Sequence, residues 1–131
     1  MVSLEEIRSS NSNIGTALPP GLVAVFAGAT SGIGEISLKH FAKNAVKPRI
    51  YFVGRSKDSG SRITAELQKL NPEGEYIYIS ADVSLLRSVD DVCCDIKAKE
   101  AAINLLFLSV GTIAPGKGKS VKQESAAREG C

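Results

Sequence analysis

The sequence has little of the residue types on which several protein classes depend. It has three cysteines in 131 residues, and the adjacent pair Cys93 and Cys94 has neither the spacing of a disulfide framework nor that of a metal site. The one histidine, His40, has no cysteine or carboxylate at ligand spacing, which favours a surface or partly packed side chain. We therefore expect no metal site, and a protein of a reducing compartment, the cytoplasm.

The chain also lacks a charge excess and a long apolar run. Residues 116–131 hold four of the sixteen Lys/Arg and two of the fourteen Asp/Glu, which leaves twelve of each in residues 1–115. This balance predicts no nucleic-acid or membrane partner. No stretch approaches the roughly 18–20 apolar residues of a membrane span. The start, with Glu5 and Glu6, lacks the basic and apolar parts of a secretory signal.

Apolar runs alternate with helical patterns along most of the chain. Strands are predicted at residues 22–26, 49–53, 76–80 and 103–110, and helices at 32–44, 59–70 and from Ser84 or Ser88 onward. The last run is apolar on both faces, as in a parallel sheet with helices on each side. The pattern predicts an α/β fold, a doubly wound, Rossmann-like parallel sheet of about four strands.

Three regions are expected. Residues 1–20 form a flexible N-terminal arm with at most a short helix near 4–8, residues 21–115 a partial dinucleotide-binding domain, and residues 116–131 a polar, disordered tail. In the first long helix the apolar positions are Ile33, Ile36, Leu38 and Phe41. In the third, the spacing predicts burial of Val89, Val92, Cys93 and Ile96.

The turn from Gly28 to Gly34 is the most informative feature. It carries glycines at 28, 32 and 34 and lies between the first predicted strand and the first long helix. The free N–H groups and the positive end of a helix dipole attract a nucleotide diphosphate at such a place. A tight turn without a ligand is the alternative.

Two charged residues follow the next two strands. Arg55 ends the second strand, where a dinucleotide fold meets the adenosine ribose and an arginine pairs with a 2′-phosphate. Asp82 ends the third strand, where a carboxylate can reach the adenine edge. The alternatives are a surface charge for Arg55 and a helix cap for Asp82, which could also serve both purposes.

These residues resemble the N-terminal half of a short-chain dehydrogenase/reductase, over about residues 21–115. The turn matches the Thr-Gly-x-x-x-Gly-Ile-Gly motif of that family with Ala27 in place of threonine, and Asp82-Val83 matches its Asp-Val pair. Residues 108–111 stand in place of Asn-Asn-Ala-Gly, with Gly111 alone kept. The fourth strand is similar to that of divergent fungal members from secondary-metabolite pathways.

The resemblance implies an NADP(H)-dependent oxidoreductase of a small-molecule carbonyl or alcohol. The turn would cradle the pyrophosphate, Arg55 would bind the 2′-phosphate, Asp82-Val83 the adenine, and Gly111 would let the backbone pass near the nicotinamide half. The implied cofactor-binding residues are Gly28, Thr30, Ser31, Gly32, Ile33, Gly34, Arg55, Asp82, Val83 and Gly111.

The catalytic Tyr-x-x-x-Lys pair of the family is missing. Tyr51 is followed four residues later by Arg55, Tyr76 by Ser80, and Tyr78 by Asp82. We therefore expect a truncated, inactive form with an open apolar edge at residues 103–110, marginal as a monomer unless a homo- or hetero-oligomer covers that edge. The alternatives are a non-catalytic nucleotide-binding or interaction module that pairs with a full-length relative, and a gene remnant.

Overall fold

A parallel sheet and the helices between its strands form the part of the chain that the structure, a computed structural model, describes, which is residues 1–111. In chain order the elements are α1 (Leu4–Ser12), α2 (Ile14–Ala17), β1 (Val23–Ala27), α3 (Gly32–Asn44), β2 (Arg49–Gly54), α4 (Lys57–Leu70), β3 (Glu75–Ser80), α5 (Leu86–Lys99) and β4 (Leu105–Leu108). The predicted α/β fold class is confirmed.

The strands lie in the order β3-β2-β1-β4, and all neighbours are parallel. The fourth strand is shorter than the predicted 103–110, because β1 supplies partners only from Ala24, opposite Leu105, to Ala27, opposite Leu108. The side chain of Asn104, to which the sequence assigned no role, accepts a hydrogen bond from the Val23 N–H at 2.9 Å and fixes the start of this pairing.

Each face of the sheet is covered by different helices. On one face α3 and α4 bury Phe26 and Phe52 of the sheet beneath Leu38, Ile63 and Leu67. On the other face Val25, Tyr51 and Val53 pack against α5 through Val92 and Ile96. Strands β1 and β2 are buried on both faces, and their sequences are almost continuously apolar, as in a parallel sheet with helices on each side.

The buried side of α3 differs in part from the predicted one. Leu38 is buried and Phe41 packs against the core, as predicted, but Ile33 and Ile36 are 76% and 58% exposed. Gly34 and Ala42 are also buried and form a stripe with Leu38 at a spacing of four residues. Gly34 and Ala42, at the two ends of this stripe, are small and let the helix lie close to the sheet. A count of large apolar residues does not detect such positions.

The start and one face of α5 also depart from expectation. The helix begins at Leu86 after Leu85, and neither serine caps it, since the Ser84 hydroxyl donates to Asp82 at 2.7 Å. The predicted burial of Cys93 is wrong, because the side chain is exposed. Val92 and Ile96 are the buried residues of this helix. Cys93, which follows Val92, lies outside that stripe and is exposed.

The N-terminal region carries more helix than the short segment expected near residues 4–8, since α1 and α2 together span most of residues 4–17. Helix α1 begins with a capping box, in which the Glu6 N–H donates to the Ser3 hydroxyl at 3.2 Å and the Ser3 N–H donates to the Glu6 carboxylate at 2.7 Å. No residue of α1 or α2 is buried. The predicted tail at residues 116–131 lies outside the described residues.

Candidate functional site

A cleft of about 470 Å³ opens at the carboxyl ends of the strands. In open α/β sheets this edge is where ligands bind, at the point where the strand order reverses around β1. The residues that line the cleft follow all four strands, in the order Gly28, Thr30, Ser31, Ile33, Gly34, Val53, Gly54, Arg55, Ala81, Asp82, Val83, Ser84, Ser109, Val110 and Gly111. The fold thus brings together segments up to about eighty residues apart in sequence.

Nine of the ten residues predicted to bind a cofactor lie in this lining. The exception is Gly32, which is the first residue of α3. Their roles as ligands of a cofactor stay predictions, since the structure contains the chain alone.

The glycine turn needs glycine at two positions for reasons of space and backbone conformation. Gly28 has φ +82°, and a Cβ there would lie 2.9 Å from the backbone of Ser109 and Val110. A Cβ on Gly34 would lie 2.2 Å from the Gly28 carbonyl oxygen. Any side chain at either position would therefore push the turn away from β4 or from α3.

The N-terminus of α3 points its donors at the cleft. Ser31 is the N-cap residue, but its side chain accepts no hydrogen bond from the first turn. The N–H groups of that turn are therefore left without the usual side-chain acceptor. Together with the dipole of a thirteen-residue helix, they make an anion site of the kind that binds phosphate.

Arg55 and Asp82 provide the charge at the other end of the cleft. Arg55 is exposed and forms no hydrogen bond or ion pair with any other residue of 1–111. Asp82 accepts hydrogen bonds through one oxygen from the Ser84 hydroxyl at 2.7 Å and the Ser84 N–H at 3.0 Å. These bonds, and to a smaller extent the charge of Arg55, hold the pKa of Asp82 below its usual range. The alternative of Asp82 as a helix cap is wrong, because the cap position of α5 belongs to Leu85.

The segment that carries Arg55 is held by contacts that sequence reasoning missed. The Tyr78 hydroxyl donates to the Ser56 carbonyl at 2.8 Å. A Cβ on Gly60 would lie 2.4 Å from the Tyr78 ring, so the ring packs directly against the glycine. On the opposite side, the Thr30 methyl lies against Gly54, where a Cβ would approach it to 2.2 Å. The signal in the sequence was a pair of glycines, Gly54 at the end of β2 and Gly60 in α4, which indicate close neighbours only once the fold is known.

The three tyrosines do not line the cleft. Tyr51 donates its hydroxyl proton to Glu100 at 2.7 Å, and burial, with that hydrogen bond, raises its pKa to about 12. Tyr76 donates to the Asn71 carbonyl at 2.7 Å. With Tyr78 bound to Ser56, all three hydroxyls serve packing, and none is placed to exchange a proton with a molecule in the cleft.

Residues 1–111 lack two further features. None of the helices there is long and apolar enough to cross a membrane. Nor does any group of three or more His, Cys, Asp or Glu side chains in that part of the chain have the arrangement of a metal site.

Known proteins resemble this chain in sequence. The NmrA-like family domain-containing oxidoreductase notO of an Aspergillus species is 47% identical over 116 residues, which cover 87% of this chain and 35% of notO. The oxidoreductase andH of Emericella variicolor is 42% identical over 112 residues, which cover 86% of this chain and 33% of that protein. The chain thus spans about a third of the length of the curated relatives it matches.

Solved structures share the fold, and the sequence matches a family. L-sorbose reductase from Gluconobacter frateurii, solved with NADPH and L-sorbose, is 26% identical, with a TM-score of 0.63 over 84% of this chain and 39% of that one. A short-chain dehydrogenase from Sphingobium yanoikuyae, solved with NADPH, is 22% identical, with a TM-score of 0.57 over 65% of this chain and 32% of that one. The profile of the short chain dehydrogenase family matches residues 22–129. The chain therefore belongs to the short chain dehydrogenase family.

Proposed function

We propose that this chain provides the cofactor half of a site that binds NADP(H). The observation that carries the proposal is the cleft at the carboxyl ends of the strands. It is lined both by the start of α3, which has no side-chain cap, and by Arg55, which forms no ion pair within residues 1–111. The helix start and the glycine turn suit the pyrophosphate, and the Asp82-Val83 pair suits the adenine. Gly111, which lines the cleft after β4, would let the backbone pass near the nicotinamide half.

The preference for a 2′-phosphate rests on Arg55. An acid at the end of β2 would accept from a ribose 2′-hydroxyl, whereas a guanidinium pairs with a phosphate. Arg55 has no competing ion pair in the described residues, so its donors are available to a ligand. Solved relatives complexed with NADPH support the same cofactor.

The chemistry of the complete site would be hydride transfer between the bound nicotinamide and a carbonyl or secondary alcohol. The fungal oxidoreductases notO and andH, which resemble this chain in sequence, support oxidoreductase chemistry. We propose that the substrate is a small molecule, a secondary metabolite, and that the protein acts in the cytoplasm. No tyrosine of the 131 residues has a lysine four positions later. We propose that this chain alone binds the cofactor without turnover, because the family's proton donor is not among its residues.

The test compares NADPH and NADH binding to the purified full chain by calorimetry. A charged hydrogen bond to phosphate is worth about 1.5–3 kcal/mol, so we expect NADPH to bind about ten- to hundredfold more tightly than NADH. Arg55→Ala should abolish that preference while leaving NADH affinity unchanged. Arg8→Ala, which removes an equal charge from α1, is the matched control and should keep the preference.

Two results would count against these proposals. Equal affinity for the two cofactors in the wild-type chain would remove the assigned role of Arg55. Oxidation of NADPH with a carbonyl substrate by the purified chain alone would contradict the absence of turnover.

A second function, an interaction module, is favoured by β4. This strand pairs only with β1 within the described residues, and Leu106 and Leu108 are 58% and 69% exposed. An unpaired apolar edge accepts another strand. We propose that it joins a second copy of this chain or a full-length relative.

A further inference from the structure

We infer that Ser109, at the end of β4, is a positioning residue that fixes the glycine turn in the shape that receives the cofactor pyrophosphate. The inference rests on the proposed binding of NADP(H). It assigns the serine no contact with the reacting atoms. Its effect is on the backbone of a neighbouring segment, which is reached across the sheet.

The Ser109 hydroxyl lies between the two segments that form the cradle. It donates to the Gly28 carbonyl at 3.1 Å, with the Ala27 carbonyl as a second acceptor at 3.4 Å. The Ser109 N–H donates separately to the Ala27 carbonyl at 3.0 Å, as part of the strand pairing. The side chain therefore extends the hydrogen bonding of β4 by one step beyond the sheet and into the turn.

The first residue of the turn, Gly28, is held from both sides, through the peptide before it and the peptide after it. The Gly28 N–H donates to the Val53 carbonyl of β2 at 3.3 Å, while its carbonyl accepts from Ser109 of β4. Gly28 has φ +82°, a conformation that glycine leaves easily because no Cβ opposes other values. Without the serine hydroxyl, the Gly28 carbonyl would lose its bond to β4, and only the backbone bond from the Ser109 N–H to the Ala27 carbonyl, one residue earlier, would remain on that side.

Gly34 shows how closely the hydroxyl fits. A Cβ at that position would lie 2.6 Å from the Ser109 oxygen and 2.2 Å from the Gly28 carbonyl oxygen. The serine, the turn and the first residues of α3 therefore meet at one point. Since the N–H groups of α3 are the anion donors, their direction relative to the turn depends on this contact.

A restrained cradle binds more tightly because less conformational entropy is lost when the ligand arrives. Loss of one hydrogen bond of this kind predicts NADPH binding about three- to tenfold weaker in Ser109→Ala. The effect should be confined to the phosphate bridge. Arg55 and Asp82 lie on segments that no hydrogen bond of Ser109 reaches, so adenosine 2′-monophosphate, which lacks the 5′-phosphate, should bind unchanged.

The experiment measures NADPH and adenosine 2′-monophosphate binding by calorimetry to wild type, Ser109→Ala and Ser109→Thr. We expect Ser109→Ala to weaken NADPH alone and Ser109→Thr, which restores a hydroxyl on the same carbon, to recover the affinity. Ser12→Ala is the matched control, since it removes a serine hydroxyl bond to a backbone carbonyl, of 2.7 Å, in α1. It should change neither ligand. Thermal unfolding without ligand checks that every variant is folded.

The outcomes separate this inference from the proposed function. Wild-type protein that binds no NADPH overturns both. Wild-type protein that binds NADPH, with Ser109→Ala equal to it, overturns the role of Ser109 alone. Equal weakening of NADPH and adenosine 2′-monophosphate would show a general loss of structure and would also overturn that role.

Discussion

At the scale of single residues, Gly34 sets how closely the turn, helix α3 and strand β4 approach each other. It is buried although it stands in the first turn of a helix, where most side chains would reach solvent. In the interior of a helix, glycine is about 1 kcal/mol less favourable than alanine. The contact it permits with Gly28 is therefore worth more to this fold than the helix propensity it gives up.

Gly34→Ala should destabilise the chain by about 1–3 kcal/mol. A Cβ 2.2 Å from the Gly28 oxygen cannot be accepted without a backbone shift, and overpacking of this kind typically costs that amount. The free energy of unfolding from urea denaturation measures the effect. The same shift should weaken NADPH binding, because it displaces the donors of α3.

Gly15 in α2 offers the matched control. A Cβ there would meet only the Asn44 carbonyl at 3.8 Å, an ordinary contact. Gly15→Ala should therefore be neutral or stabilising by a few tenths of a kcal/mol. If Gly34→Ala proved as stable as Gly15→Ala, the close approach described here would be wrong.

At the scale of elements, a cluster of charges joins α3 to α4. Glu35 accepts from both terminal nitrogens of Arg62, at 2.9 Å and 3.1 Å, and from Lys39 at 2.6 Å. Glu66 pairs with the same two cations. The Glu35 side chain is 15% exposed, so water screens it less than an ordinary surface pair. The hydrogen bonds from Arg62, and then from Lys39, lower the pKa of Glu35 to about 2.

This cluster predicts a defined loss of stability in acid. The carboxylate has an ordinary pKa near 4.5 when unfolded and about 2 when folded. Its contribution is therefore complete above pH 4.5 and is lost as the pH falls toward 2. We expect that contribution to be about 1–2 kcal/mol, after allowance for screening at the half-exposed Arg62. Urea denaturation between pH 2.5 and 7 would show it as a free energy of unfolding that decreases as the pH falls.

Glu35→Gln should be less stable than wild type at pH 7 and should lose this part of the slope. Glu73→Gln is the control, because the Glu73 carboxylate forms no ion pair within residues 1–111. It should keep the wild-type slope. A Glu35→Gln curve parallel to the wild-type curve would mean that the cluster contributes nothing to folding.

The elements were predictable to different degrees. Strands β1 to β3 were predicted to within a residue at each end, because burial on both faces leaves long apolar runs between turn residues. The packed side of α3 was predicted only in part, because Leu38 and Phe41 lie on it, whereas Gly34 and Ala42 lie on it without a large apolar side chain. The start of α5 was missed because Ser84 bonds to Asp82 and not to the helix.

At the scale of the whole molecule, the sequence predicted those lining residues of the cleft that belong to recognisable motifs. Gly28, Arg55 and Asp82 were found because strand ends in a parallel sheet meet at one edge. Ser109, Thr30 against Gly54, and Tyr78 against Gly60 depend on contacts between segments far apart in the chain. No local pattern contains such contacts, so only the folded structure shows what holds the cleft in shape.

The edge strand β4 has consequences for the molecule as a whole. Its second side has no partner strand in the described residues, and its apolar side chains are exposed on both faces of the sheet. Leaving several large side chains uncovered forgoes a few kcal/mol at about 25 cal/mol per Å². A domain has only about 5–15 kcal/mol in total, so an unpartnered edge should make the monomer marginal.

The last prediction is that the chain associates through this edge. Sedimentation velocity of the wild type should show assembly that grows with concentration, and Leu106→Lys/Leu108→Lys should reduce it, because charged side chains on an edge strand oppose pairing. Both leucines are more than half exposed, so the lysines meet solvent and the fold is retained. Leu4→Lys/Leu18→Lys changes two exposed leucines of the N-terminal region and should leave assembly unchanged. A wild-type chain that stays monomeric and unfolds cooperatively in urea, independent of concentration, would show that β4 needs no partner.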